Sequence, residues 1–239
     1  MTTTSTTSPT RKGAAANTAY VPELREVGTF VDERVRALQG GYLKDLSAAV
    51  STLAKLRRGA GKPIEAVPEL VGLTLDHRFY ETFPVEDPRT EAAEAAAHEA
   101  LTLYALHQQS KRERGMHKRG IGLGGAVRRL MPGGDIDEPL RKRFVQAGSA
   151  ADHATRLDRL RGIVSLLRTE DIPLDYGLLA DQLHDARTPA GAARVRRAWG
   201  RGFQAHRPER VDGAAPDAEP GAPDGDSPDG DSPDAAPES

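Results

Sequence analysis

A chain of 239 residues with 33 Lys and Arg against 35 Asp and Glu has a formal net charge of only −2, but its charges are segregated. Every Lys and Arg lies at or before Arg210, whereas nine acids follow it, so residues 1–210 carry +7 and the remainder −9. The absence of cysteine excludes disulfides and thiolate metal sites and fits a reducing cytoplasm, and no apolar run is long enough to span a bilayer.

Residues 1–19 are mainly Thr, Ser and Ala with one basic pair, Arg11 and Lys12. They lack the apolar stretch of a signal peptide and read as a disordered tail. From residue 208 onward Pro, Gly, Ala and Asp dominate, with the near-repeat PDGDSPDGDSPD, which is expected to form a second, acidic disordered tail. The span 20–207 is long enough for one sizeable core.

Within that span the periodicity is helical almost throughout. Leu24, Val27, Phe30, Val31, Val35 and Leu38 make one apolar face, which Gly40-Gly41 is expected to close. Leu43, Leu46, Val50, Leu53 and Leu56 make a second, ending at Arg57-Arg58-Gly59. Pro63, Pro68, Pro84 and Pro88 break the next region into short pieces, with a helical turn or two around Glu69 to Leu75. An Ala-rich helix follows from Thr90, a candidate N-cap. Leu123 to Met131 predicts a short helix stopped by Pro132-Gly133-Gly134. Leu140, Phe144 and Val145 mark another helix, and Ala154 to Leu167 a strongly periodic one. Asp175 caps a segment carrying Leu178, Leu179 and Leu183. Thr188-Pro189 starts a last helix with Val195, Trp199 and Phe203. The expected fold is an all-α bundle of seven to eight helices.

Function concentrates in LYALHQQSKRERGMHKRGIGLGGAVRRL, residues 103–130. Between Lys111 and Arg129 it holds seven Lys or Arg against one acid, Glu113. A mobile, glycine-containing basic loop between helices suits a phosphate backbone: glycines admit close main-chain N–H contact, and cations displace condensed counterions. The glycines at 120, 122, 124 and 125 are not a dinucleotide fingerprint, because a helix rather than a strand precedes them. His98-Glu99 lacks the second histidine of a zinc motif, so no metal or other cofactor is expected. His107 reads as a packed core histidine and His117 as a possible phosphate or base contact. The acids at 113, 135, 137, 138, 152 and 158 are scattered among arginines as on solvated helix faces, which leaves an enzyme without support. Arg141, Lys142, Arg143, Arg156, Arg159 and Arg161 extend the basic bias, giving fourteen Lys or Arg against six acids between His107 and Arg168. With few aromatics interleaved, backbone contacts with little sequence preference are expected.

Five segments together resemble the CasB family, the small subunit of the type I-E CRISPR surveillance complex Cascade. They are AKLRRGAGKP (54–63), LTLYALHQQS (101–110), the MH…GIGLGGAVRRL segment (116–130), LRGIVSLLRTEDIPLDYGLLADQL (160–183) and VRRAWGRGF (195–203). They occur in the family's order across the core, while both tails and the region 62–90 depart from it. The resemblance implies an all-helical, non-catalytic subunit, present as two copies beside the backbone and large subunits. Such a subunit holds the crRNA–target region and the displaced strand without reading sequence. Arg57, Arg58, Arg128 and Arg129 match the family's basic positions. Lys118, Arg119, Arg141, Arg143, Arg156 and Arg161 join them on charge alone. Reversing Arg128 and Arg129 to Glu is expected to leave the fold intact. Two rival readings are a stand-alone helical DNA-binding protein, which would need a recognition helix, and a structural adaptor whose arginines pair with acidic protein neighbours.

Overall fold

Helical periodicity carries through the core in the computed structural model, which describes residues 21–131 and 135–206. The expected disordered segments 1–19 and 208–239, and the stop at 132–134, lie outside the described residues. Ten α-helices are present among them: α1 (Glu26–Leu43), α2 (Ser47–Leu56), α3 (Val71–Thr74), α4 (His77–Thr82), α5 (Thr90–His107), α6 (Leu123–Arg129), α7 (Glu138–Gly148), α8 (His153–Thr169), α9 (Tyr176–Asp185) and α10 (Pro189–Ala205). The excess over seven or eight arises mainly in the proline-broken region, where α3, α4 and two 3-10 turns (Ile64–Ala66, Pro68–Leu70) divide the chain; a third 3-10 turn (Arg57–Gly59) directly follows α2. The all-α expectation holds; the one β feature among the described residues is an isolated bridge between His117 and Leu174. No helix there is long and apolar enough to cross a membrane.

The centre of the bundle is α5. Its alanines at 93, 95, 96, 97 and 100 are buried and small enough for α1, α2, α8 and α9 to approach closely. Leu101, Leu103 and Tyr104 have no exposed surface, and burial of each such side chain contributes roughly 1.5–3 kcal/mol. α1 crosses α9 where two glycines face each other: a Cβ at Gly28 would lie 2.7 Å from the Gly177 carbonyl oxygen. At the same crossing the buried Asp181 carboxylate accepts from the amides of Arg25 and Gly28, each at 2.8 Å, so α9 caps the start of α1.

Local start signals are obeyed at α7, α8, α9 and α10. Asp137, Asp152, Asp175 and Thr188 accept from the amides of Leu140, Thr155, Leu178 and Gly191. Three expectations need correction. Gly40-Gly41 does not end α1, which runs to Leu43; Gly41 instead lets α2 turn back close to α1, with Ala49 2.8 Å from where its Cβ would be. The reversal falls at Asp45, whose φ is 54°. Thr90 is the first residue of α5 rather than its cap, and its hydroxyl donates to the Pro84 carbonyl at 2.7 Å. Leu43, Leu46 and Val145 are exposed rather than part of the core.

Candidate nucleic-acid interface

The basic stretch between α5 and α6 is a tied-down turn, not the mobile loop expected. Gln108, buried at the end of α5, donates to the carbonyls of Lys111 and Arg114 and accepts from the Met116 amide. Gln39 of α1 accepts from the His117 amide at 2.9 Å. The chain then bridges to Leu174, which exchanges backbone hydrogen bonds with Met116 and Lys118. Met116 has no exposed surface and becomes part of the interior. The cations of this turn have local partners: Lys111 and Arg114 pair with Asp171, and Arg112 pairs with Asp45 while lying over the Tyr42 ring.

His117 is withdrawn from any phosphate or base. It is 6% exposed; its Nδ1 accepts from the Tyr176 amide at 3.1 Å. That leaves Nε2 to carry the proton and donate to Asp32 Oδ1 at 2.9 Å. Asp32, His117 and Asp175 have the mutual spacing of a metal set. The protonated Nε2 is not a ligand, however, and the Arg119 guanidinium already sits 3.3 Å from Asp175 and 3.8 Å from Asp32. The cluster is an internal ion-pair network that pins the turn to α1 and α9. His107, packed as expected, lies with Nδ1 2.9 Å from the Tyr176 hydroxyl, and burial pushes it down to about 4.

The glycines serve packing more than phosphate approach. The Gly120 amide donates to Asp175 Oδ2 at 2.8 Å, so a carboxylate of the chain itself takes that donor. Gly120 has a φ of 81°, which a side chain would strain. Gly124 is where α6 meets α10: a Cβ there would lie 2.6 Å from the Phe203 amide nitrogen and nearer still to the Trp199 carbonyl oxygen.

The ten sequence-selected basic residues therefore divide. Arg128 is 8% exposed, donates to the Met131 carbonyl at 2.9 Å and lies over the Phe203 ring. Its guanidinium holds the end of α6, so reversing its charge would disturb the fold, contrary to expectation. Arg156 is 5% exposed and directs donors to the Ala150 and Ala186 carbonyls. Arg119 is held by Asp32, Asp175 and the Pro22 carbonyl. Arg58, Lys118, Arg129, Arg141, Arg143 and Arg161 are exposed and Arg57 is half-buried. Arg141 is bound to Glu138, which raises its pKa. Gly61, with a φ of 80°, passes under the Arg161 side chain and so brings the Arg57–Lys62 turn against α8 on one surface.

Sequence reasoning missed the arginines of α10. Arg194, Arg197 and Arg201 fall at i, i+3 and i+7, and all three are exposed opposite the buried Val195, Trp199 and Phe203. Arg201 and Arg129 line the same cleft beside Gly122, Gly125 and Trp199. The helical spacing of these arginines is the signal the sequence offers for them.

Comparison with known proteins agrees with this architecture. A family model described as CRISPR-associated protein Cse2 matches residues 52–203. A solved structure, described as CasB from Thermobifida fusca, is 62% identical with a TM-score of 0.70, covering 76% of this chain and 99% of that one. A chain from a structure described as a CRISPR RNA-guided surveillance complex is 20% identical over 75% of this chain and 96% of that one; its TM-score of 0.55 is a likeness of fold. A search of curated proteins finds no match.

Proposed function

We propose, starting from the fact that this chain belongs to the CRISPR-associated Cse2 family, that it is a non-catalytic small subunit of a type I-E surveillance complex. In this reading two copies sit beside the backbone and large subunits. They hold the phosphate backbones of the crRNA–target region and the displaced strand, and so lengthen the life of the R-loop. The 62% identity to a CasB protein across 99% of that protein's chain carries the reading. The surface supports it: exposed Arg58, Lys118, Arg129, Arg143 and Arg161, with half-buried Arg57, are available to phosphates, and the α10 arginines add to them. Arg141 contributes only where a phosphate displaces Glu138, and Arg119 and Arg128 act by shaping the surface.

Strand exchange in an R-loop is nearly balanced, so a few backbone contacts suffice to tip it. Each such contact releases counterions, and binding should weaken steeply with salt and hardly depend on base sequence. The test is reconstitution: the protein is added to a type I-E complex lacking its small subunit, and R-loop lifetime is followed across a salt series. Two copies joining and prolonging the R-loop are expected. Failure to join, with independent binding to duplex DNA, would overturn the reading in favour of a stand-alone DNA binder.

A further inference from the structure

A cleft of about 500 Å³ opens where the ends of α7 and α9 meet the starts of α8 and α10. Its walls carry Arg156, Arg187, Arg196 and His153. The acids around it are occupied. Glu99, fully buried beneath, accepts from His153 Nε2 and from Arg187, each at 2.7 Å. Asp152 is turned into α8, accepting from the Thr155 amide and hydroxyl.

Arg156 and Arg196 have no carboxylate within ion-pair distance among the described residues. Arg156 is the unusual member. Its side chain is almost wholly buried, and its guanidinium meets two carbonyls at 3.4 Å and the His153 ring at 3.5 Å. Burial, and then the neighbouring Arg196, push its pKa down. A buried cation is tolerated when an anion compensates it; among the described residues no carboxylate pairs with Arg156 directly, and Glu99 and Asp152 attract it only from farther away. By taking the carbonyls after α7 and at the end of α9, Arg156 also offsets the negative ends of those helices. The positive ends of α8 and α10, each 17 residues long, face the same cleft.

We propose that this cleft is a binding site for one phosphodiester group of a nucleic-acid backbone, gripped between Arg156 and Arg196 with Arg187 behind them. The proposal rests on the backbone-binding reading above and gives it a specific address. Guanidiniums from two different helices, α8 and α10, line the one cleft, and such groups suit the non-bridging oxygens of a tetrahedral anion, which would displace the long 3.4 Å carbonyl contacts of Arg156.

The test uses the full chain and the variant Arg196→Gln, chosen because Arg196 is exposed and its loss leaves the core untouched. Inorganic phosphate should raise the melting temperature of the wild type more than chloride does at equal ionic strength, and should lose that advantage in the variant. An oligothymidylate should bind the variant about tenfold more weakly, with a salt slope smaller by about 1. Phosphate acting no differently from chloride on the wild type would overturn the site. A phosphate effect confined to the wild type, with identical oligothymidylate binding by both proteins, would overturn the nucleic-acid assignment and point to a carboxylate of a neighbouring protein. A phosphate effect with no oligothymidylate binding by either protein would leave the anion site standing and defeat the backbone-binding reading itself.

Discussion

Gly124→Ala separates two roles that the GIGLGG segment could play. If the glycines exist to give phosphate access, a methyl group there should cost binding and little stability. The structure implies the reverse. The added Cβ would lie 2.6 Å from the Phe203 amide nitrogen and closer to the Trp199 carbonyl. Both are backbone atoms of α10, which cannot rotate aside. Relief requires α6 and α10 to separate by about 1 Å along a contact that buries Val127, Trp199 and Phe203. Overpacking of this kind costs up to about 3 kcal/mol, offset by about 1 kcal/mol from replacing a helical glycine with alanine. The net loss is about 2 kcal/mol, or roughly 4–8 °C in melting temperature for a domain of this size. Gly162→Ala supplies the control, since a Cβ at that position in α8 meets nothing within 4 Å. It should gain the propensity term alone and melt higher. Thermal melts of both variants, followed by circular dichroism, decide the matter. If Gly124→Ala melts at or above the wild type, the packing account of the glycines is wrong.

Other outcomes follow from the same contacts. Arg128→Met should destabilise the fold by about 1–3 kcal/mol by removing a buried, hydrogen-bonded guanidinium, whereas Arg129→Gln should leave stability within about 0.5 kcal/mol; equal effects in denaturant titrations would refute the split. Asp32→Ala should strand the His117 Nε2–H and cost about 1–3 kcal/mol, and hydrogen exchange should quicken in the turn 110–122; unchanged protection would show that the network does not hold the turn. Burial holds His98 and His107 at about 4 against an ordinary 6.5, so between those values the unfolded chain binds protons that the folded chain does not. The contribution is complete above about pH 6.5 and is lost as the pH falls toward 4, at most about 3 kcal/mol for each histidine. Urea midpoints across that range measure it. His98→Leu, which removes a ring with both nitrogens buried and unpartnered, should flatten the dependence, and an unaltered slope would dismiss His98 as a source.

What the sequence determined by itself was local in origin. Helical periodicity and the caps at Asp175 and Thr188 depend on neighbours a few residues apart, and each was legible; so was the packing of His107, from its place on the apolar face of its helix, although its partner Tyr176 lies 69 positions away. So was the family, because ordered segments survive as strings. Only the tertiary structure decided which arginines face solvent. Arg128 and Arg129 are adjacent in the chain and chemically identical, yet one closes the end of α6 against Phe203 and the other is exposed. The basic loop read as mobile because its charge and glycine content are those of loops. Asp32, Gln39, Asp171 and Asp175 reach it from as far as 85 positions away and hold it in place. A charge count sums residues along the chain, whereas an ion pair forms only between those that folding brings within about 4 Å. That is why the positive charge of the turn between α5 and α6 is largely paired within the fold.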